Sequence, residues 1–141
     1  MLWVSAVCGV IAAAIFLRVD DWRRDFTTNV ASTDGSSSLE PLRLNGSVEE
    51  TVQRLKEYVA DRPHWKWVEQ AETVDGVVID LVRRTWLFRF EDDVQVKVAR
   101  DAAGTSIVVD AISRSRVGRG DLGQNPRNIK ELFAWLQDSR D

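Results

Sequence analysis

Three stretches of the chain alternate apolar residues with other residues at a period of two: Val77, Ile79 and Leu81; Val94, Val96 and Val98; Ile107, Val109 and Ala111. Trp65 and Trp67 begin a fourth. Successive side chains of a strand point to opposite sides, so each stretch has one apolar face that must be covered. Asp75-Gly76 and the segment Asp101 to Gly104 are hairpin-type turns, one inside the first pair of strands and one inside the last. The pattern predicts a four-stranded antiparallel meander.

Two helical patterns flank it. Ser47 followed by Glu50 is a capping-box signature, and Val48, Val52, Leu55 and Val59 then recur at helical spacing until Asp61, Arg62 and Pro63 stop them. Near the other end, Asn125 reads as an N-cap, Pro126 as the first helical residue, and Ile129, Leu132, Phe133 and Leu136 as one apolar face. The expected fold is α+β: a small two-layer domain, a four-stranded antiparallel meander with two helices packed on it.

An N-terminal transmembrane helix is expected ahead of this domain. Met1 to Leu17 carries no charged side chain, and Arg18 ends the run. Seventeen residues rising about 1.5 Å each reach about 25 Å, the lower edge of what crosses a bilayer core. A cleaved signal peptide would open with basic residues and end in small ones, whereas this run opens with Leu2 and Trp3 and ends in Ile15, Phe16 and Leu17. Arg18, Arg23 and Arg24 follow it, which by the positive-inside rule places the domain in the cytoplasm; Asp20, Asp21 and Asp25 interleave them and weaken that bias. The expected organisation is an anchor at 1–19, an irregular tether at 20–40 that includes the Ser-rich ASTDGSSS, and an α+β domain at 41–141.

Composition removes whole classes of chemistry. The 141 residues include 19 basic and 22 acidic side chains, too even a balance for a nucleic-acid binder, which must displace counterions from phosphates. One Cys and one His leave no internal disulfide and no His or Cys cluster for a metal. His64 falls at a helix-to-strand junction, away from Ser113 and Ser115, the nearest candidates for a nucleophile. Asp92 and Asp93 are neighbours on a strand, so their carboxyls point to opposite faces and cannot share a proton. The expectation is a chain that is not an enzyme, with no catalytic residue, no metal and no cofactor.

What chemistry the sequence offers is gathered in residues 113–127, SRSRVGRGDLGQNPR. Arg114, Arg116, Arg119 and Arg127 are opposed locally by Asp121 alone, and Gly118, Gly120 and Gly123 lie between a strand and a helix N-terminus, where free N–H groups favour an anion. The glycine spacing matches GxGxxG, but a dinucleotide fold requires a further parallel strand and an acidic residue about 20 positions on, for which the remaining chain is too short. Two readings stand: an anion site formed by Arg114, Arg116, Gly118, Arg119, Gly120 and Gly123, or a tight crossover whose arginines pair with Glu91, Asp92, Asp93 and Asp110.

The strings RSRVGRGDLGQN, NIKEL, LFRFEDDVQVKV and TTNVAST together resemble the domain of unknown function 1499 family, over roughly residues 27 to 138. The residues that carry the resemblance are Ser113, Arg114, Ser115, Arg116, Gly118, Asp121, Leu122, Gly123 and Asn125, with Asp92 and Asp93. Many members have a Cys directly after the Asn that matches Asn29; Val30 stands there, so no thiol role carries over. The resemblance implies a bacterial or plastid-type protein behind an N-terminal membrane or export segment. It implies no established activity and leans towards an extracytoplasmic domain, against the arginine bias.

The combined expectation is a single-span protein of the cell membrane, an accessory or structural subunit of a larger membrane complex, photosynthetic or respiratory. Its partners would be other membrane subunits, met through an anchor with small residues Ala6, Gly9, Ala12 and Ala13, and the lipid bilayer. Trp86, Phe88 and Phe90, alternating on one face of a strand, read as core or as a second docking surface. The alternative is a membrane-anchored module that binds an anionic ligand or lipid headgroup at residues 113–127.

Overall fold

The alternation in the sequence becomes the sheet in the computed structural model, which describes residues 29–35, 37–85, 89–118 and 122–138. The elements are β1 (Val30–Ser32), β2 (Leu42–Leu44), α1 (Val48–Ala60), β3 (Trp65–Glu72), β4 (Gly76–Arg84), β5 (Glu91–Arg100), β6 (Ile107–Ser115) and α2 (Gln124–Asp138). The expected anchor and the first part of the tether, residues 1–28, lie outside the described residues. Among the described residues no helix is long and apolar enough to cross a membrane.

β3 to β6 form the expected meander, every pair antiparallel, in the order β6-β5-β4-β3. The sheet has six strands rather than four. β1 and β2 lie end to end along the free edge of β6, β1 against Ile112–Arg114 and β2 against Ile107–Val109. Each is three residues long, too short to show a period. β1 also corrects the tether: Ala31, Ser32 and Thr33 are buried, and the N–H and hydroxyl of Thr33 both bond the backbone of Ala111, so the folded unit begins at or before Asn29. The pairing removes a long open edge from β6.

The register places Val77, Ile79, Leu81, Val94, Val96, Val98, Ile107 and Val109 on one buried face. α1 covers it with Val48, Val52, Leu55, Tyr58 and Val59, and α2 adds Leu132 and Leu136. Ser47 caps α1 as expected, its Oγ accepting the Glu50 N–H at 3.0 Å. Gly76 opens β4 where backbones crowd: a Cβ there would sit 2.0 Å from the Val98 carbonyl oxygen, so no larger residue fits without moving β5.

Where the helices meet, Tyr58 donates its hydroxyl proton to Glu131 Oε1 at 2.9 Å, and Arg83 reaches Glu131 Oε2 at 3.2 Å. Trp65 and Trp135 flank the Tyr58 ring at 5.3 and 5.5 Å, and the Arg62 guanidinium lies 4.0 Å above it. Among the described residues no helix packs on the opposite sheet face. There Val78, Val82, Val108 and Ile112 are half-buried among cross-strand polar pairs such as Gln95 with Asp80, 2.8 Å apart.

Candidate functional site

The motif before the last helix is split by strand alternation. Ser113 and Ser115 continue the buried face of β6, while Arg114 between them is exposed on the other side. β5 pairs Asp92 with Ser115, which puts the Asp92 carboxyl on the same buried face and Asp93 on the open one. On α2, Asn125 and Asn128 are three apart and so project from one side of the helix, onto the serines.

These five side chains close a ring. Ser115 Oγ donates to Asp92 Oδ1 at 2.7 Å, Asn128 Nδ2 donates to Asp92 Oδ2 at 2.9 Å and to Ser113 Oγ at 3.0 Å, and Ser113 Oγ donates to Asn125 Oδ1 at 2.6 Å. Asn125 Nδ2 completes it with Ser115 Oγ at 3.1 Å and also reaches the Asn29 carbonyl at 2.7 Å. Each of the two hydroxyl and four amide protons thus has its own acceptor, and both Asp92 oxygens are acceptors. Ser113, Asn125 and Asn128 are fully buried, Asp92 and Ser115 nearly so. Buried polar groups cost free energy unless partnered, and a fully satisfied network in a low-dielectric interior is rigid and directional.

This arrangement revises the reading of Asn125. The helix starts one residue earlier, at Gln124, and the Asn125 side chain turns onto β6 instead of capping. Holding two serines and the Asn29 carbonyl outweighs satisfying one helix N–H that water could reach. Asn128 and Asn29 are members of the site that the sequence reading did not single out as functional; the Asn125/Asn128 spacing, matched against Ser113/Ser115, was the available signal.

On the open face, Arg116 is held by carboxylates. Its Nε lies 3.0 Å from both Asp93 oxygens, Nη2 lies 2.6 Å from Asp93 Oδ1, and Nη1 reaches Glu91 Oε2. Asp93 pushes Arg116 above its ordinary pKa. Arg84, 2.8 Å from Glu91 Oε1, and Arg116 hold the Glu91 carboxyl below the usual carboxylate range. Gly118 and Gly123 take positive φ, 95° and 74°, and Leu122 does so at 53°; Asn29 Nδ2 donates to the Gly118 carbonyl at 3.2 Å. Of the expected anion site, Arg114, Arg116, Gly118 and Gly123 are placed, but Arg116 faces acidic partners. Arg119, Gly120 and Asp121 lie outside the described residues. A shallow concavity of about 380 Å³ beside Arg114 and Arg116 is lined also by Asp80, Asp93 and Gln95, a mixed rather than cationic surface.

Phe90, the described member of the aromatic run, is not in a strand. β4 ends at Arg84 and β5 begins at Glu91; Arg89 and Phe90 are in the connection, Arg89 with φ 54°, while Trp86 and Phe88 lie outside the described residues. The fold reason is local. The Thr85 N–H donates to the Phe90 carbonyl at 2.8 Å, and the Phe90 N–H to Thr85 Oγ1 at 2.9 Å, which holds these two residues together. His64 is exposed at the junction of α1 and β3. Among the described residues no three His, Cys, Asp or Glu side chains group as a metal site requires.

A family model described as "Protein of unknown function (DUF1499)" matches residues 21–136, which takes in the described sheet, α1, α2 up to Leu136 and the whole ring. The chain belongs to the DUF1499 family. No curated protein and no solved structure matches it. Four of the residues on which the DUF1499 resemblance rests, Asp92, Ser113, Ser115 and Asn125, are ring members, and a fifth, Arg116, is the ion-paired arginine above them. In this DUF1499 chain the motif fastens β1, β5, β6 and α2 together.

Proposed function

We propose that this chain is a non-catalytic, single-span membrane protein, an accessory subunit that an N-terminal helix anchors in the cell membrane beside the other subunits of a larger complex. The observation that carries the reading is the inward use of the motif. Its serines and asparagines are spent on one another and on Asp92, and Arg116 on Glu91 and Asp93. The uncharged run from Met1 to Leu17 supplies the anchor, and its small residues allow close helix approach. The second reading, an anion-binding module at residues 113–127, has less behind it, because the guanidinium best placed to bind a ligand already holds two carboxylates.

Gentle solubilisation of membranes followed by affinity purification tests the proposal. A stoichiometric membrane partner that resists salt but is lost when Gly9 and Ala12 are replaced by bulky residues is the expected result. Recovery of the protein alone overturns the subunit reading, and extraction by alkaline carbonate overturns the anchor.

A further inference from the structure

The two ends of the sheet differ in charge, in apolar exposure and in where the chain arrives. The Asn29 carbonyl accepts the Ser115 N–H at 3.0 Å, and the Asn29 side chain bonds the Ser115 and Gly118 carbonyls, so the chain comes into the domain beside the last residue of β6. At that end also lie the last residue of β4, the first of β5 and the connection carrying Arg89 and Phe90. Arg84, Arg89, Arg114 and Arg116 stand there against Glu91 and Asp93, a surplus of two positive charges on the surface. Phe90 is 46% and Val117 56% exposed.

The far end consists of the β3–β4 and β5–β6 turns and the first turn of α1. Glu49, Glu50, Glu72, Asp75 and Asp101 lie there with Arg100, with Lys56 along the same concavity and with Arg43 beside the start of β6, a surplus of two negative charges among these described residues. A chain of near-neutral total charge is therefore polarised along its sheet axis.

Resting on the anchored reading above, we propose that the Asn29 end of the domain lies against the anionic headgroup layer of the bilayer that holds the anchor. Phe90 and Val117 meet the interface and Arg89 and Arg114 meet the headgroups. Eleven residues separate the uncharged run from Asn29. A chain of that length spans about 18 Å as a coil and at most about 40 Å. That holds the Asn29 end at high effective concentration over the membrane, where a weak affinity is enough, while the acidic far end is repelled from it. Aromatic side chains such as Phe90 favour the interface.

The test uses the full chain with Cys8→Ser, reconstituted in vesicles of phosphatidylcholine with phosphatidylglycerol. Single cysteines introduced by Phe90→Cys, Val117→Cys, Val74→Cys (the far end) and Ala12→Cys (the anchor) carry an environment-sensitive fluorophore, and headgroup spin-labelled lipid is the quencher. Retained tryptophan near-ultraviolet circular dichroism certifies each variant as folded. The expected result is quenching at positions 90 and 117 several-fold above position 74, falling at high salt. Equal quenching at 74, 90 and 117 with position 12 still buried in lipid overturns the inference and leaves the anchor intact; loss of burial at position 12 overturns the anchor itself. Quenching at 90 and 117 that ignores salt and phosphatidylglycerol overturns the anionic headgroup contact. Positions 90 and 117 shielded from an aqueous reagent in native membranes but open in vesicles would assign this end to a protein partner instead.

Discussion

One buried sheet face is built in two ways. Under α1, across β3, β4 and the middle of β5, it is aliphatic and aromatic: Ile79, Leu81, Val94 and Val96 against Val52, Leu55 and Tyr58. Under the first turns of α2, where β5 begins and β6 ends, the same face carries Asp92, Ser113 and Ser115 against Asn125 and Asn128, with a small apolar neighbour of Ala31, Ala111 and Ile129 flanked by the partly buried Leu39 and Phe133. The first half is held by area, which is non-directional and tolerant of shape so long as volume is kept. The second is held by donors and acceptors that fit in one arrangement only. The polar half lies where the fold most needs direction: β1 has three residues, and a slip of one would turn Ala31 outward. The Asn29 carbonyl, bonded by both Ser115 N–H and Asn125 Nδ2, holds that register.

Truncation breaks each half. Leu55→Ala leaves a cavity in the apolar half and is expected to cost about 2–5 kcal/mol. Asn125→Ala leaves the Ser113 hydroxyl proton without an acceptor and takes one of their partners from Ser115 Oγ and the Asn29 carbonyl, so a cost of about 1–3 kcal/mol is expected. Urea unfolding followed by tryptophan fluorescence measures both. An Asn125→Ala loss below about 1 kcal/mol would show that water replaces the amide and that the ring is no fastener.

Isosteric changes separate the halves more sharply. Leu55→Met keeps volume and apolarity and should cost less than about 1.5 kcal/mol. Asn125→Asp also keeps shape, yet it removes both amide protons and points a second carboxyl at the Asn29 carbonyl and Ser115 Oγ. The expected cost is about 2–4 kcal/mol at neutral pH, from two lost donors to buried acceptors. Equal small losses for the two substitutions would erase the distinction between the halves.

The apolar half was largely readable from sequence, because periods of two and of 3.6 survive in eight or more residues. Both helices and β3 to β6 follow from that pattern. β1 and β2 were not readable, since three residues hold no period and the Ser-rich segment around β1 looks like a turn. Phe90 looks like part of a strand alternation in the sequence, but its hydrogen bonds with Thr85 and the left-handed Arg89 belong to a connection. In the site, Ser113, Ser115, Asp92 and Asn125 were visible as a motif while their mutual use was not. Asn125 and Asn29 are 96 residues apart, and nothing local pairs them.

The apolar half contains a polar insertion at Tyr58, and alkali should find it. Burial, and then the Glu131 carboxylate, raise Tyr58 well above the ordinary phenol value of 10.0. A folded pKa above the unfolded one means the stabilisation is complete below about pH 10 and is lost as pH rises further, since only the unfolded chain ionises readily there. Tyr58 is the one tyrosine of the chain, so absorbance at the tyrosinate band reports it alone. The band should rise together with the loss of near-ultraviolet circular dichroism. A rise near pH 10 in a protein that keeps its dichroism would mean that Tyr58 ionises in place.

The smallest effect is expected just across the sheet from the ring, at Arg116. This residue makes ionic contacts to both Asp93 and Glu91, and it follows Ser115 directly in the motif. Its side chain is 45% exposed, however, and Asp93 is 54% exposed, so water and salt screen the pair and replace it when it is removed. Arg116→Ala should leave the melting temperature nearly unchanged, with even that small difference vanishing in high salt. A fall as large as that of Asn125→Ala would mean that the open face and the buried face are one cooperative unit. Since Arg116 is also the residue that the anion-binding reading needs most, titration of wild type and Arg116→Ala with inorganic phosphate decides its use: binding by the first and not the second, at equal stability, would move this arginine from the surface ion pairs to a ligand site.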